Sequence, residues 1–254
     1  MGTIALTGGA TGIGAATRKL LESDGHQVIV VDIKSADIVA DLSRPEGREQ
    51  AIEAIRARAP EGLDGFVACA GVGPSVKPAS KIASINYFGT VVLAEALAPL
   101  VAQRRGAMVL TSSNSAPMGS DTEYVEKCLA SDEAGARARA DEVGEGQSAY
   151  GGAKLALTRW MRRHSTEYAK RGLRMNAVAP GITQTPLTEE GLADKTFGPA
   201  IRAFGESVPT GGIAEPEQIA SVITFLLGPG AKFMCGAVVF VDGGHDAMLR
   251  PDEF

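Results

Sequence analysis

The first stretch of this chain, up to Asp32, restricts its fold more than any other. Residues 3–7 form a short apolar run, and Gly8, Gly9, Gly12 and Gly14 follow at once. An amphipathic segment continues to Asp24-Gly25, and a second apolar run, residues 27–31, ends in Asp32. Short apolar runs bounded by turn signals read as buried strands, and the segment between them has the helical period. Strand, glycine turn, helix and strand together commit the chain to parallel strands joined by helical crossovers. Glycines in such a turn let a pyrophosphate approach backbone N–H groups at the positive end of the helix. Asp32 stands 20 residues after Gly12, where a dinucleotide fold holds the ribose 2′-hydroxyl. A carboxylate there accepts hydroxyl hydrogen bonds from NAD and repels the 2′-phosphate of NADP; Lys34 is a mild opposing signal.

The same rhythm continues. Strands are expected at 37–40, 65–68, 108–111, 174–179 and 237–241, with helices at 45–59, 79–103 and 149–170. With 254 residues and no linker-like stretch, the expected architecture is α/β: a single-domain, Rossmann-type doubly wound parallel sheet. Residues 114–147 interrupt it, being too long for an ordinary connection. Ser120-x-x-Glu123 reads as a capping box, and Tyr124, Val125, Cys128 and Leu129 share one helical face, so a small helical insert is expected, with a second helix ending near Gly144. Residues 184–212 carry Leu187, Leu192, Phe197, Ile201 and Phe204 between Gly and Pro, which suits either a loop covering an apolar substrate or a surface helix.

Composition narrows the partners. A net charge of -5 supplies no basic stripe for nucleic acid or an acidic membrane. No run reads as membrane-spanning, and residues 1–7 lack the features of an export or myristoylation signal. Cys69, Cys128 and Cys235 form no C-x-x-C pair, as expected of a reduced, cytoplasmic chain; with His26, His164 and His245 scattered, no metal site is readable. Cys69 itself reads as a small packing residue rather than a reactive thiol.

The chemistry is expected at Ser148-Ala149-Tyr150-Gly151-Gly152-Ala153-Lys154, where a tyrosine and a lysine four residues apart project from one helical face. A nearby ammonium favours the phenolate and makes Tyr150 a candidate proton-transfer group. Ser113 follows the 108–111 strand, on the edge where open parallel sheets bind ligands.

Together these residues resemble the short-chain dehydrogenase/reductase family along essentially the whole chain. Thr7-Gly8-x-x-x-Gly12-Ile13-Gly14, with Thr11 inside it, is similar to the family's cofactor loop. Cys69-Ala70-Gly71 stands where Asn-Ala-Gly is usual, and Asp41-Leu42 falls in a further cofactor segment. Pro180, Gly181 and Thr183, with Thr185 beyond them, resemble the nicotinamide segment. Asn86, Ser113, Tyr150 and Lys154 match the catalytic tetrad, Ser113 being chosen over Ser112 because the family uses the second serine of such a pair. The resemblance implies that Tyr150 moves the hydroxyl proton and Ser113 holds the substrate oxygen. It implies that Lys154 lowers the Tyr150 pKa and holds the nicotinamide ribose, and that Asn86 anchors a relay water. Ser113 and Tyr150, normally close in sequence, are 37 residues apart. That insert, Asp41-Leu42-Ser43, Ile85-Asn86-Tyr87-Phe88-Gly89 and the ending Arg250-Pro251-x-x-Phe254 resemble the family's bacterial 3α-hydroxysteroid-oxidising branch, in which the insert alters assembly. The expected function is NAD-dependent interconversion of a hydrophobic secondary alcohol and its ketone by a homodimer. Coniferyl-type alcohol oxidation and a non-catalytic NAD-sensing role are the alternatives.

Overall fold

Alternation of apolar residues decides how the strands lie. In the computed structural model, which describes residues 2–193 and 198–253, Ile4 and Leu6 join one buried cluster while Ala5 joins another, and Val28 and Val30 are likewise separated from Ile29 and Val31. These two strands therefore have both faces covered, as in a parallel sheet. The strands are Thr3–Thr7 (β1), Gln27–Asp32 (β2), Ile38–Val39 (β3), Gly65–Ala68 (β4), Ala107–Thr111 (β5), Arg174–Pro180 (β6) and Val238–Val241 (β7). They form one sheet in the order β3-β2-β1-β4-β5-β6-β7, with every pairing parallel. Thr7 pairs with Val31 on one side and Ala68 on the other, so the loops that follow β1, β2 and β4 leave the sheet along one edge. The strand order reverses between β1 and β4, which makes that edge the natural ligand crevice.

Helices Gly12–Ser23 (α1) and Pro45–Arg58 (α2) begin the first crossovers on opposite faces of the sheet, and α2 and Ser80–Gln103 (α3) share the larger core with the long helix described below. The insert consists of Thr122–Leu129 (α4) and Glu133–Val143 (α5), and Gly146–Lys170 (α6) follows it. The 184–212 segment forms Pro186–Ala193 (α7) and Gly198–Glu206 (α8); Phe197, named above, lies outside the described residues, as does Phe254. Pro216–Leu227 (α9) packs with α1 on the opposite face of the sheet through Leu21, Ile219, Ile223 and Leu226, and His245–Leu249 (α10) closes the described chain.

Four sequence expectations need correction. The cap of α4 is Asp121, whose Oδ1 accepts from the Tyr124 N–H at 2.7 Å, so the frame lies one residue beyond Ser120. Residues Ala83–Phe88 wind as π-helix within α3. Contrary to the reading that no run could span a membrane, α3 is long and apolar enough, although much of it is buried in the core. Helix α9 was not anticipated, although the Gln218 side chain accepts from the Glu215 N–H at 2.8 Å in the manner of a helix start.

The insert is built into the core. Gly152 leaves the space in which the Tyr124 ring lies, a Cβ there falling 2.7 Å from Tyr124 Cδ1, and Gly151 faces the Ser115 carbonyl. Gly152 thus lets α4, and Gly151 the segment leading into it, lie close against α6, and Tyr124, Val125 and Cys128 are fully buried. At its other end, Asp141 Oδ1 accepts from the Ser80 N–H at 2.8 Å, tying α5 to the start of α3.

Candidate active site

Glycine geometry shapes the loop after β1. Gly8 has φ +74, and a side chain on it would lie 2.5 Å from the Ala70 nitrogen, so only glycine lets the β1 and β4 exits come this close. Gly14 abuts the Gly8 carbonyl, and a Cβ on Gly12, itself at φ +54, would fall 3.0 Å from the Thr185 methyl. The loop is stitched to its neighbours. Gly8 N–H donates to the Val31 carbonyl at 2.8 Å, Ala10 N–H to Asp32 Oδ2 at 2.9 Å, and Ala70 N–H to Thr7 Oγ1 at 3.3 Å. Thr11 precedes α1 with an exposed side chain that makes no cap bond, and Ile13 packs against the core. A close-packed glycine turn at a helix start, with a carboxylate at the next strand end, fits a dinucleotide. Asp32 also accepts from the Ile33 N–H at 2.7 Å, which fixes the carboxylate at the sheet edge.

Asp41 and Leu42 lie beyond β3. The Asp41 carboxylate accepts from both the N–H and hydroxyl of Ser43, at 2.9 and 2.7 Å, and the Ser43 hydrogen bond chiefly holds its carboxyl below the usual range against the opposing effect of burial. Leu42 is buried over Gly89 of α3.

The tetrad residues converge from three elements. Ser112 and Ser113 leave β5 in opposite directions. Ser112 Oγ contacts Thr158 Oγ1 at 2.7 Å inside α6 and is thereby taken up in packing, whereas Ser113 Oγ accepts from the nearby Ser115 N–H at 3.1 Å and bears on the Tyr150 phenol, a physical reason to prefer the second serine. Lys154 is 5% exposed and donates from Nζ to the Thr111 carbonyl at 2.7 Å. Its ammonium lies 5.8 Å from the Tyr150 ring centroid. Burial lowers Lys154 from 10.5 to about 8, with the Cys69 thiol opposing. Burial also raises Tyr150, with the Ser113 hydrogen bond opposing. The net direction for Tyr150 is upward because removing the phenolate from water outweighs the Ser113 hydrogen bond; the lowering expected from Lys154 is not among the causes of this shift. Cys69 is pushed up to about 11, again chiefly by burial, which agrees with a packing role.

Asn86, fully buried in the π-helical stretch, donates from Nδ2 to the Val72 carbonyl at 2.9 Å and accepts from the Val72 N–H at 2.8 Å. Its amide thereby braces the loop after β4, with one Nδ2 hydrogen and one Oδ1 lone pair left over. Gly71, beside that loop, leaves open the space next to Asn86 Oδ1 and Lys154 Nζ. Gly181, after Pro180, lies against Asp242, and Thr183 Oγ1 donates to the Gly181 carbonyl at 3.0 Å. Thr185 Oγ1 accepts from the Thr188 N–H at 3.3 Å, which makes Thr185 the cap of α7 beside Gly12. Of the apolar residues in the 184–212 segment, Leu187 packs over Gly73 beside the site. Ile201 packs on Gly191, and Phe204 stacks on His245 with ring centroids 4.1 Å apart. The last two are anchors, so the apolar cover is narrower than the sequence suggested. Thr111, a backbone acceptor, left no sequence signal, and neither did Arg48, described below.

Fold and site together define an α/β oxidoreductase of the dinucleotide-binding type. The chain belongs to the short-chain dehydrogenase/reductase family: the description "short chain dehydrogenase" matches residues 2–125, and "Enoyl-(Acyl carrier protein) reductase" matches residues 135–246. It is 44% identical, over the whole of both chains, to 3-alpha-hydroxysteroid dehydrogenase/carbonyl reductase of Comamonas testosteroni. It is 31% identical to coniferyl-alcohol dehydrogenase of Pseudomonas sp. strain HR199, over 95% of each chain. Its structure is similar to that of 3-alpha-hydroxysteroid dehydrogenase from Pseudomonas sp. B-0831 complexed with NADH, with TM-score 0.96 and 44% identity over 99% of this chain and 100% of the other.

Proposed function

We propose that this oxidoreductase interconverts a 3α-hydroxysteroid and the matching 3-ketosteroid. NAD is its cofactor and supplies the two-electron acceptor for oxidation. The observation that carries the mechanism is buried Lys154, held on the Thr111 carbonyl just before Ser113 and 5.8 Å from the Tyr150 ring centroid. In oxidation Tyr150 takes the substrate's hydroxyl proton and Ser113 holds the same oxygen; in reduction Tyr150 returns the proton. Lys154, fixed on the Thr111 carbonyl, sets the charge behind the phenol, and Asn86 holds the loop after β4 in register. Asp32 favours NAD over its 2′-phosphorylated form by charge.

The substrate reading is supported by the full-length likeness to two hydroxysteroid dehydrogenases, and by Leu187 at the margin of the site. A largely hydrocarbon ring system gains about 25 cal/mol per Å² buried against such a surface, which a small polar alcohol does not. Coniferyl alcohol is smaller and primary, so it buries less and holds its carbinol carbon less firmly; a non-catalytic sensor has no use for Ser113, Tyr150 and Lys154 together. A panel of androsterone, coniferyl alcohol and cyclohexanol with NAD, followed at the NADH absorbance, should show androsterone turned over with the highest kcat/KM. Turnover of coniferyl alcohol without androsterone would overturn the steroid reading and leave the dehydrogenase intact. The protein is further proposed to act in the cytoplasm as a homodimer.

A further inference from the structure

We propose that the helical insert is part of the cofactor site: Glu133 of α5, acting through Arg48 of α2, is a positioning residue for the adenosine end of NAD. The guanidinium of Arg48, only 3% exposed, joins three separate segments. It binds Glu133 in a bidentate pair, Nη1 to Oε2 at 2.7 Å and Nη2 to Oε1 at 2.6 Å. It donates from Nε to the Leu42 carbonyl at 2.8 Å, and from Nη2 to the carbonyls of Ser43 at 3.3 Å and Ser84 at 3.2 Å. Glu133 is the carboxylate that meets this buried charge; the other acceptors are neutral.

The loop on which the pair acts is a compact unit. Asp41 binds Ser43, Gly47 abuts the Asp41 carbonyl, and Leu42 is wedged over Gly89. It therefore shifts as a piece when one support goes. Without the carboxylate, the guanidinium is left buried and uncompensated, and it must turn toward water or admit it, releasing the Leu42 and Ser43 carbonyls. The Asp41-Leu42 loop lies past β3, beside Asp32 and remote from Tyr150 in the strand order, so such a shift disturbs one end of the cofactor. The inference rests on the reading above that Asp41-Leu42 belongs to a cofactor segment, and takes it as the adenosine end because the loop follows β3, the strand paired with Asp32.

The test compares Glu133→Gln, which keeps the shape and removes the charge, with Arg48→Lys and Leu42→Ala in the full-length protein. ADP-ribose and nicotinamide mononucleotide serve as competitive probes against NAD. In Glu133→Gln and Arg48→Lys the dissociation constants of NAD and ADP-ribose should rise by about tenfold, or ~1.4 kcal/mol. Nicotinamide mononucleotide affinity, and kcat at saturating NAD, should stay within about twofold. A lowered melting temperature with unchanged ADP-ribose affinity, while Leu42→Ala weakens ADP-ribose, would overturn the proposal and leave a purely structural ion pair. Unchanged ADP-ribose affinity in all three variants would overturn the assignment of the loop itself, and the proposal with it. Equal losses for both half-cofactors would also overturn it, as general loosening of the site.

Discussion

Burial drives both ionisable groups of the site toward their neutral forms, raising the Tyr150 phenol and lowering Lys154 to about 8. Oxidation needs the phenolate and reduction the phenol, so the oxidation rate should climb through the alkaline range while reduction declines; initial rates in both directions against pH check this. Tyr150→Phe removes only the proton-transfer oxygen, and should cut turnover on the order of 10²–10⁴-fold in both directions while NAD affinity, read by fluorescence titration, stays near the parent's. The lysine has a separate signature in stability. Between about 8 and its usual 10.5, native Lys154 has shed a proton that the unfolded chain retains. The unfolded state then binds more protons, so stability linked to this group rises with pH through that window. Lys154→Met should remove this gain, so the melting temperature of the parent should improve relative to the variant between pH 7.5 and pH 10. Equal shifts in the two proteins would refute the buried charge.

At the scale of elements, the insert depends on the glycine pair that follows Tyr150. Gly152→Ala places a methyl against the Tyr124 ring, and should destabilise the fold by ~1–3 kcal/mol, seen as a lower denaturation midpoint. Much of this architecture was legible in the residues. The β1-α1-β2 unit has strict periodicities and glycine punctuation, and the pairing of Tyr150 with Lys154 follows from helical spacing alone. What escaped did so for physical reasons. A π-helical stretch such as Ala83–Phe88 leaves no apolar period of its own, and its importance shows only when Asn86 is seen gripping Val72. Arg48 and Glu133 are 85 residues apart, and nothing local in either helix says that they meet. Spacing reports the charge beside Tyr150 but not the loss of water around its phenol, which sets the net direction of its pKa. Helix α9 is a different case, since Pro216, Gln218 and the apolar spacing of Ile219, Ile223 and Leu226 were all in view.

For the molecule as a whole, the open edge of the sheet matters most to assembly. Strand β7 has no partner on its outer side among the described strands, its four residues are only half-buried, and Phe225 and Phe233 nearby are 49% and 105% exposed. The insert lies against α3 and α6, so β7 and α9 are the surface we assign to a second copy of the chain. Light scattering should give a dimer mass for the parent and a monomer for Phe233→Glu; a stable tetramer would contradict this arrangement. The strand order also bears on how the protein is made. Strands β2 and β3 extend the sheet from β1 in one direction; β4 then joins the free side of β1, and β5, β6 and β7 follow, each beside the strand placed just before it. No later strand has to be inserted between two that are already paired. As the polypeptide leaves the ribosome, the sheet can grow from its middle in order of synthesis, with Gly8 and Asp32 in place well before Tyr150 has been translated.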